Sequence, residues 1–391
     1  MNPYRFLASV FPTRPAPASP RRIVLILPCC IGDVVLATAA LQALRRGWPE
    51  AHITWAVGSW SKGVVEHHDL LDDVLDCGPE ALPVRSAAGM LRFARQLRAG
   101  NFDLAVSLVR SPLMSIALLL SGIPHRAGLD SAGRGFGYTV RAPVDPNAPR
   151  HEAEIYLDVA RALGLDASNC RANVPVRDTD RQRVRALLDA RSVDRPFIVL
   201  NPAGGRNPGM VMDSKRWPPE NFARLAEHLT PRPSLHAMGS EPSPPAPLPE
   251  GEGRKQAGDC RVVLVGGPGD EAVVRAVQER MAVAALALVG ELSFGEMAAL
   301  AALALVYIGN DTGMTHLAAA AGAKTVMILG PSDPARYAPF APQAIALWKP
   351  AALRSGGVAA GAPSDWNWER DGIGVEEAAA QVSRFLGIPL S

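Results

Sequence analysis

The feature that most limits the fold of this chain is a strand-to-helix unit that begins near residue 21. The segment RRIVLILP is basic and then continuously apolar, which is typical of a strand buried on both faces. A short turn, CCIGD, follows, and VVLATAALQALRRGWP has helical spacing that ends at Gly47 and Pro49. Strands that alternate with helices in this way predict a parallel sheet covered by helices on both faces.

The same alternation starts again late in the chain. Apolar strand segments such as PFIVLN, RVVLVGG, LVYIGN and KTVMILG are separated by helical segments. A chain of 391 residues that is 48% hydrophobic can bury two such cores. We therefore expect an α/β protein with one domain over 21–180 and a second over 190–350. Ligands of such sheets bind near the carboxyl ends of the strands.

Three segments fall outside this plan. Residues 1–20 carry a short apolar stretch followed by prolines, which predicts a flexible tail, or alternatively a weak contact of its aromatic side chains with a membrane surface. Residues 231–259 hold seven prolines and predict a disordered surface insertion, with a proline-rich recognition motif as the alternative. Residues 351–391 form a separate C-terminal segment.

The net charge, the length of the apolar runs and the cysteine spacing exclude several classes of protein. The net charge is +2, which gives no general attraction to nucleic acid. No apolar run reaches the roughly 20 residues that span a bilayer. The five cysteines show no CxxC pair and no zinc spacing, so we expect reduced thiols in a cytoplasmic protein.

The first candidate for chemistry is Asp33, in the loop between the first strand and its helix. An Asp at this position can cap the helix by accepting backbone N–H groups. It can also accept a proton from a bound hydroxyl group. Gly32 beside it permits a close approach of the backbone.

The second candidate is the stretch NPAGGRNPGMVMDSKRWP, which follows a strand. The backbone amides around Gly204 can hold a phosphate, and Lys215 supplies a point charge. The alternative is a solvated basic loop.

The third candidate is GNDTGMTH, between a strand and a helix. Asp311 or Thr312 suits the N-cap position, and Gly313 lets a ligand approach the first helical turn. His316 lies one turn further on about the same face, where it is either a buried core residue or part of an anion site.

Two further sites are weaker. The turn at 266–271 can line a nucleotide, and Glu291, after a later strand, can bind ribose hydroxyls or cap a helix. Arg126 lies in the Gly-rich segment GIPHRAGLDSAGRGFGY. Its guanidinium suits a phosphate or a carboxylate; the alternative is a surface loop whose charges are solvated.

Five segments, taken in order, resemble glycosyltransferase family 9, the bacterial lipopolysaccharide heptosyltransferases. They are IGDVVLATAALQALRRGWPEAHITW, GIPHRAG, SKRWPPENFARLAEHL, VVLVGGPGDE and YIGNDTGMTHLAAAAG. The resemblance covers roughly 21–350 apart from the proline-rich insertion. The segment GIPHRAGLDSAGRGFGY is more similar to the second heptosyltransferase than to the first.

The resemblance implies a GT-B fold, in which two Rossmann-like, doubly wound domains face a cleft and the final helix, within 351–391, returns to the first domain. It implies a nucleotide-diphosphate sugar, usually ADP-heptose, as substrate, with no cofactor and no metal. The residue roles that it implies are a general base at Asp33, a diphosphate and sugar contact at Lys215, a donor-sugar contact at Asp311, a diphosphate site around Thr312, Gly313 and His316, and an acceptor contact at Arg126.

The function expected from this resemblance is inverting, metal-independent transfer of heptose to a lipopolysaccharide core or related glycan. The acceptor would be lipid-linked at the inner membrane, so the enzyme would be cytoplasmic and peripheral to that membrane. Two alternatives share the architecture: a nucleotide-sugar epimerase, and a non-catalytic nucleotide-sugar-binding protein.

Overall fold

A computed structural model gives the structure of the protein, and it describes residues 3–145, 148–193, 196–230, 261–349 and 365–388. The insertion predicted at 231–259 lies outside these residues. None of the described helices is both long enough and apolar enough to cross a bilayer.

The first domain contains a six-stranded parallel sheet. Its strands are β1 (Arg22–Ile26), β2 (His52–Val57), β3 (Asp73–Asp76), β4 (Leu104–Ser107), β5 (His125–Ser131) and β6 (Val140–Val144), in the spatial order β3-β2-β1-β4-β5-β6. The central strand β1 is buried on both faces, as its apolar sequence predicts, and its Leu25 pairs with Trp55 of β2 and Val106 of β4. The helices around this sheet are α2 (Ile31–Gly47), α3 (Lys62–Val65), α4 (Ala87–Ala99), α5 (Pro112–Ser121) and α6 (Glu152–Ala162).

The second domain repeats the design. Its parallel sheet consists of β7 (Phe197–Asn201), β10 (Arg261–Gly266), β11 (Ala285–Val289), β12 (Tyr307–Asn310), β13 (Thr325–Ile328) and β14 (Ala344–Leu347), in the order β11-β10-β7-β12-β13-β14. A small antiparallel hairpin, β8 (Arg206–Asn207) and β9 (Met210–Val211), follows β7.

The helical segments of this half are α7 (Asp178–Ala190), a 3-10 turn (Asp213–Lys215), α8 (Pro219–Leu229), α9 (Glu271–Gln278), α10 (Phe294–Leu303), α11 (Gly313–Ala320), α12 (Pro334–Tyr337), α13 (Trp368–Asp371) and α14 (Val375–Leu386). Helix α7 packs on α10, so the chain changes domain before residue 178.

The strand order gives each sheet one topological switch point. At this point the connections that leave two adjacent parallel strands go to opposite sides of the sheet. In the first sheet it lies between β1 and β4, and in the second between β7 and β12. A crevice opens outside the carboxyl ends of the strands at such a point. The loops after these four strands are therefore the ones expected to bind a ligand.

The amino-terminal segment differs from the flexible tail predicted for 1–20. Residues Pro3–Val10 form helix α1, which packs on the first domain. The guanidinium of Arg141 donates hydrogen bonds to the carbonyls of Ala8 and Phe11, at 2.7 Å each, and so satisfies the end of the helix. The ring of Phe11 lies 5.8 Å from that of Phe136. These contacts link residues far apart in sequence, and for that reason the local pattern of prolines does not reveal them.

The C-terminal helix α14 does not return to the first domain, which corrects the prediction for 351–391. It packs on α8 of the second domain and buries Val375 and Val382 in that domain's core. The indole nitrogen of Trp217 donates a hydrogen bond to the carbonyl of Ile373, at 3.1 Å, just before the helix. The second domain thus covers the apolar face of α14.

Candidate functional site

The two domains enclose a cavity of about 490 Å³. The first domain contributes Cys30, the first turn of α2 (Ile31, Gly32 and Asp33), Ser59 and Trp60, and the second domain contributes residues from the loops after β7, β10 and β12. Asp33, Gly204, Lys215, Asp311, Thr312, Gly313 and His316, all selected from the sequence, line this one cavity. The structure therefore brings most of the predicted site residues together.

The domains meet closely where α2 faces α11. A Cβ atom added to Gly313 would lie 2.4 Å from a side-chain carbon of Ile31, so a larger residue would push the two helices apart. Gly204 has a φ of +110° and faces Thr312, where an added Cβ would lie 2.0 Å from the threonine methyl group. These two glycines allow the loops to approach within the cavity.

Asp33 is the third residue of α2, and its carboxylate accepts a hydrogen bond from the backbone amide of Cys30, so it helps to cap the helix. The N-cap residue of α2 is Cys30, which makes no side-chain capping bond. The hydroxyl of Tyr156 also donates a hydrogen bond to this carboxylate, at 2.8 Å from Asp33 Oδ1. Burial, together with the negative charge of Glu152, raises the pKa of the Asp33 carboxyl above its ordinary value. Such a carboxylate is a stronger base than an exposed one.

Tyr156 is a site residue that sequence reasoning missed. It lies on α6, buried, within an ordinary amphipathic helical pattern that offers no signal of a polar role. Burial and the nearby Asp33 charge raise the pKa of its hydroxyl well above the ordinary value. The phenol therefore remains protonated and keeps donating to Asp33.

A second missed feature is an ionic cluster around Glu152, at the start of α6. The Glu152 side chain is 2% exposed. Its Oε1 accepts hydrogen bonds from Nε and Nη2 of Arg336, at 2.7 and 2.6 Å, and its Oε2 accepts one from Arg110. Arg110 follows β4 of the first domain, whereas Arg336 lies on α12 of the second. Glu152 thus joins the two domains beside Asp33.

The opposite wall of the cavity carries a buried ion pair. Lys215 Nζ lies 2.7 Å from Asp311 Oδ2, and the hydroxyl of Ser332 also donates to this carboxylate. Burial raises the pKa of the Asp311 carboxyl, but the charge of Lys215 and these hydrogen bonds outweigh it, so that the net shift is downward. The Asp311 carboxylate is therefore charged, and Lys215 Nζ lies at the cavity wall.

The N-terminus of α11 lies next to this ion pair. Thr312 is the N-cap residue, and its hydroxyl makes no capping bond. The first bonds along the helix run from the amides of Thr315 and His316 to the Thr312 carbonyl, so the amides of Gly313 and Met314 precede the hydrogen-bonded turn. Such amides, with the positive end of the helix dipole, suit an anionic ligand.

His316 is a buried neutral side chain at the cavity wall. It is 4% exposed, and its Nδ1 makes no hydrogen bond to the described residues. Burial lowers its pKa to about 4, although the nearby Asp311 charge acts in the opposite direction. The imidazole is therefore neutral at pH 7, and its unpartnered nitrogen is available to a ligand.

The titration of His316 predicts a pH dependence of stability. The unfolded chain binds a proton at His316 near pH 6.5, whereas the folded state resists protonation until about pH 4. Stability is therefore lost as the pH falls between these values, by up to about 3 kcal/mol. Urea unfolding of His316→Gln should show a shallower loss of free energy over this pH range than the parent protein.

Exposed His228 on α8 provides the matched control for this measurement. His228→Gln should keep the parent's pH dependence. A His316→Gln profile that runs parallel to the parent's would contradict the assignment of a low pKa to His316.

Two predicted site residues lie outside the cavity lining. Glu291 forms a surface ion pair with Arg191, at 2.9 Å, and its role as a ribose contact stays a prediction. The Arg126 guanidinium donates to the carbonyls of Gly137 and Ile123, at 2.8 and 2.5 Å, and holds its own loop together. Both predictions relied on local sequence, which does not show where a long side chain finds its partner.

The glycine turn at 266–271 lines the cavity, as its sequence suggested. Gly266, Gly267 and Pro268 contribute to the wall, and Asp270 Oδ2 accepts a hydrogen bond of 3.0 Å from the Gly267 amide. Phe294 and Met297, at the start of α10, form an apolar wall of the same cavity. This side of the cavity combines flat apolar contact with a few polar groups.

The cysteines differ in part from the prediction of reduced thiols, because Cys29 and Cys30 are joined by a disulfide at the start of α2. Cys77 and Cys170 are free thiols. Within the ranges that the structure describes, no three His, Cys, Asp or Glu side chains are grouped so as to hold a metal ion.

These features define the class of protein. Two α/β domains, each with one parallel sheet, face a common cleft, as in the GT-B fold of glycosyltransferases. One side of the cleft carries the Asp33 carboxylate, and the other carries Lys215 and the amides at the start of α11. The chain belongs to glycosyltransferase family 9 (heptosyltransferase), whose family model matches residues 90–240 and 252–355. The protein is therefore a glycosyltransferase, and the family predicted from the sequence is confirmed.

The similarity to individual relatives is distant but extends along most of the chain. Lipopolysaccharide heptosyltransferase 3 of Escherichia coli is 22% identical over 323 residues, which cover 81% of this chain and 86% of the relative. Lipopolysaccharide heptosyltransferase 2 of Escherichia coli strain K12 is 24% identical over 330 residues, covering 80% and 84%. Relatives of the second and third types are thus similar to this chain to about the same degree.

The fold is shared with solved structures. The structure of the Escherichia coli ADP-heptose lps heptosyltransferase II matches with a TM-score of 0.66 and 19% identity, over 93% of this chain and 98% of that chain. The predicted GT-B fold is confirmed by this match together with the two parallel sheets.

Proposed function

We propose that this protein transfers heptose, with inversion, from ADP-heptose to a lipopolysaccharide core or a related lipid-linked glycan, without a metal ion or a cofactor. The observation that carries the proposal is that Asp33 of one domain and Lys215 of the other line a single cavity. The names of the relatives support the sugar and the acceptor class. We place the reaction in the cytoplasm, at the surface of the inner membrane.

The donor would bind mainly to the second domain. Its diphosphate would lie at the amides of Gly313 and Met314, where Lys215 supplies the positive charge. The apolar wall at Phe294 and Met297 suits a nucleobase, and Asp270 lies beside it to accept ribose hydroxyls. In this arrangement the diphosphate competes with Asp311 for Lys215.

The acceptor hydroxyl would approach from the side of Asp33. Its oxygen forms a bond to the anomeric carbon while the bond from that carbon to the diphosphate oxygen breaks. The hydroxyl proton passes to the Asp33 carboxylate, which the hydrogen bond from Tyr156 holds in position. The charge that develops on the departing diphosphate is balanced by Lys215 and the dipole of α11. These groups do the work that a divalent cation does in metal-dependent transferases.

Calorimetry with ADP, GDP, UDP and TDP tests the donor assignment. We expect ADP to bind most tightly, and we expect Lys215→Ala to weaken that binding. Mass spectrometry of a reaction with ADP-heptose and a lipid-linked core acceptor should then show an acceptor heavier by one heptose and free ADP, with the same yield in EDTA.

Three outcomes would contradict the proposal. Loss of activity in EDTA would indicate a metal-dependent enzyme. An altered nucleotide sugar formed without acceptor would indicate an epimerase. Nucleotide binding without any turnover on lipid-linked acceptors would indicate a binding protein.

A further inference from the structure

Exposed apolar side chains are concentrated on one part of the first domain. Nine large apolar residues are exposed in the described parts of the chain, and five of them lie on α1, α4 and α5: Phe6, Val10, Leu91, Leu113 and Leu120. Phe6 and Val10 are about 60% exposed and are four residues apart, so they are neighbours on one face of α1. Leu113 and Leu120, seven residues apart, likewise share a face of α5.

The three helices form one continuous surface, which we call the α1–α4–α5 face. Helices α4 and α5 pack together, and Arg98 of α4 donates hydrogen bonds to the carbonyls of Leu120 and Ser121 at the end of α5. The loop at 132–137 connects α5 to α1, because Ser115 donates to the Arg134 carbonyl and Gly133 lies directly against the backbone of Tyr4. The exposed apolar residues therefore belong to neighbouring elements.

This face is also basic, although the whole chain is nearly neutral. No acidic residue precedes Asp33, whereas Arg5 and Arg14 do. Residues 81–129 contain six arginines and a single acidic residue, Asp103, which accepts hydrogen bonds from the backbone amides at 21 and 22. The exposed arginines of this face are Arg5, Arg14, Arg92, Arg95, Arg98 and Arg134.

We propose that the α1–α4–α5 face binds the surface of an anionic phospholipid bilayer. The arginines can bind anionic headgroups, and the exposed Phe, Val and Leu side chains among them can enter the boundary between the headgroups and the acyl chains. A second copy of the chain suits this face less well, since it would bring two arginine clusters together. The proposal deepens the proposed function and rests on it for its biological meaning, because a lipid-linked acceptor is presented at such a surface.

The position of the face relative to the cavity supports this occupant. Helix α5 begins directly after Arg110, which contacts Glu152 beside Asp33. The face therefore extends to the first-domain side of the cleft, where the acceptor hydroxyl would meet Asp33. Binding to a bilayer here would hold the first domain at the membrane and leave the second free to exchange nucleotide.

Co-sedimentation with vesicles tests the proposal. The full chain should bind vesicles of phosphatidylglycerol and phosphatidylcholine, should bind pure phosphatidylcholine vesicles much less, and should be released by high salt. The double variant Phe6→Ser, Val10→Ser should lower the binding constant at least about tenfold, because both side chains lose their apolar burial. Arg92→Gln with Arg95→Gln should lower it by about fivefold for each arginine.

Matched controls lie on the second domain, where equally exposed residues are available. Val211→Ser with Leu305→Ser, and Arg183→Gln with Arg185→Gln, should leave vesicle binding unchanged. Circular dichroism verifies that each variant folds. Equal loss in the control variants, undiminished binding by the α1–α4–α5 variants, or no binding to anionic vesicles at low salt would overturn the proposal.

Two further measurements separate this proposal from its rivals. Sedimentation equilibrium of the parent and the Phe6, Val10 variant should give the same mass, and a smaller mass for the variant would assign the face to a second copy instead. ADP binding by calorimetry should be the same in both. A chain that binds vesicles but no nucleotide would contradict the proposed function alone, and one that binds ADP but no vesicles would contradict this inference alone.

Discussion

Replacing Asp33 with asparagine is expected to reduce kcat by about 10²–10⁴-fold while the affinity for the nucleotide sugar changes little. The amide has nearly the shape of the carboxylate and can still accept the hydrogen bond from Tyr156, but it cannot take the proton of the attacking hydroxyl. Donor binding should be left intact because the residues proposed to bind the diphosphate lie on the other domain. Steady-state kinetics with a lipid-linked acceptor, together with calorimetry for ADP, check both parts of this expectation.

Asp189→Asn, on the exposed surface of α7, is the matched control and should behave as the parent. The pH profile gives an independent test of Asp33. Because burial and Glu152 raise the pKa of this carboxyl, kcat/KM of the parent should begin to fall at a higher pH than for an exposed aspartate. A normal turnover in Asp33→Asn would assign the proton to another group.

Removing the Lys215 amine is expected to have the second large effect. Lys215→Ala should slow transfer by about 10²–10³-fold, as loss of a preorganised group at developing charge does in other enzymes. It should also destabilise the protein by about 3 kcal/mol, because Asp311 is left as a buried, uncompensated carboxylate. Transfer kinetics and urea unfolding measure the two effects separately.

A double variant distinguishes catalysis from folding. Lys215→Ala combined with Asp311→Asn removes the uncompensated charge and should recover most of the lost stability, whereas turnover should remain low. Lys324→Ala, an exposed lysine before β13, should leave both quantities unchanged. If the double variant recovered transfer along with stability, Lys215 would have only a structural role.

The Glu152 cluster suggests how the two halves of the site are aligned. A buried carboxylate that contacts an arginine from each domain is costly unless both cations are present. The ion pairs therefore stabilise the arrangement of the two domains in which Asp33 and Lys215 line the same cavity.

Periodicity alone was enough to predict the two parallel sheets and the loops that carry Asp33, Gly204 and Asp311. The reason is that a strand buried on both faces must be continuously apolar, and that ligands of such sheets bind where the strands end. The sequence alone thus places the segments that follow β1, β7 and β12 at one cleft.

Other features depend on contacts between distant parts of the chain. Tyr156 and Glu152 lie about 120 residues from Asp33 in sequence, and nothing in their helix indicates that they surround its carboxylate. The packing of α1 on the first domain and of α14 on the second depends in the same way on remote partners. Arg126 and Glu291 illustrate the same dependence, because their partners in this structure, a backbone carbonyl and an arginine, could not be read from residue type.

The difference between the features that follow from the sequence and those that depend on the tertiary structure has a simple physical origin. Backbone hydrogen bonding and the burial of apolar faces repeat with a fixed period, so they leave a pattern along the chain from which sheets, helices and strand ends follow. The partner of a buried charge or hydroxyl is chosen by distance in space, after the sheets have packed. The surroundings of the Asp33 carboxylate, the Lys215–Asp311 pair and the joining of the domains through Glu152 all depend on such contacts in space.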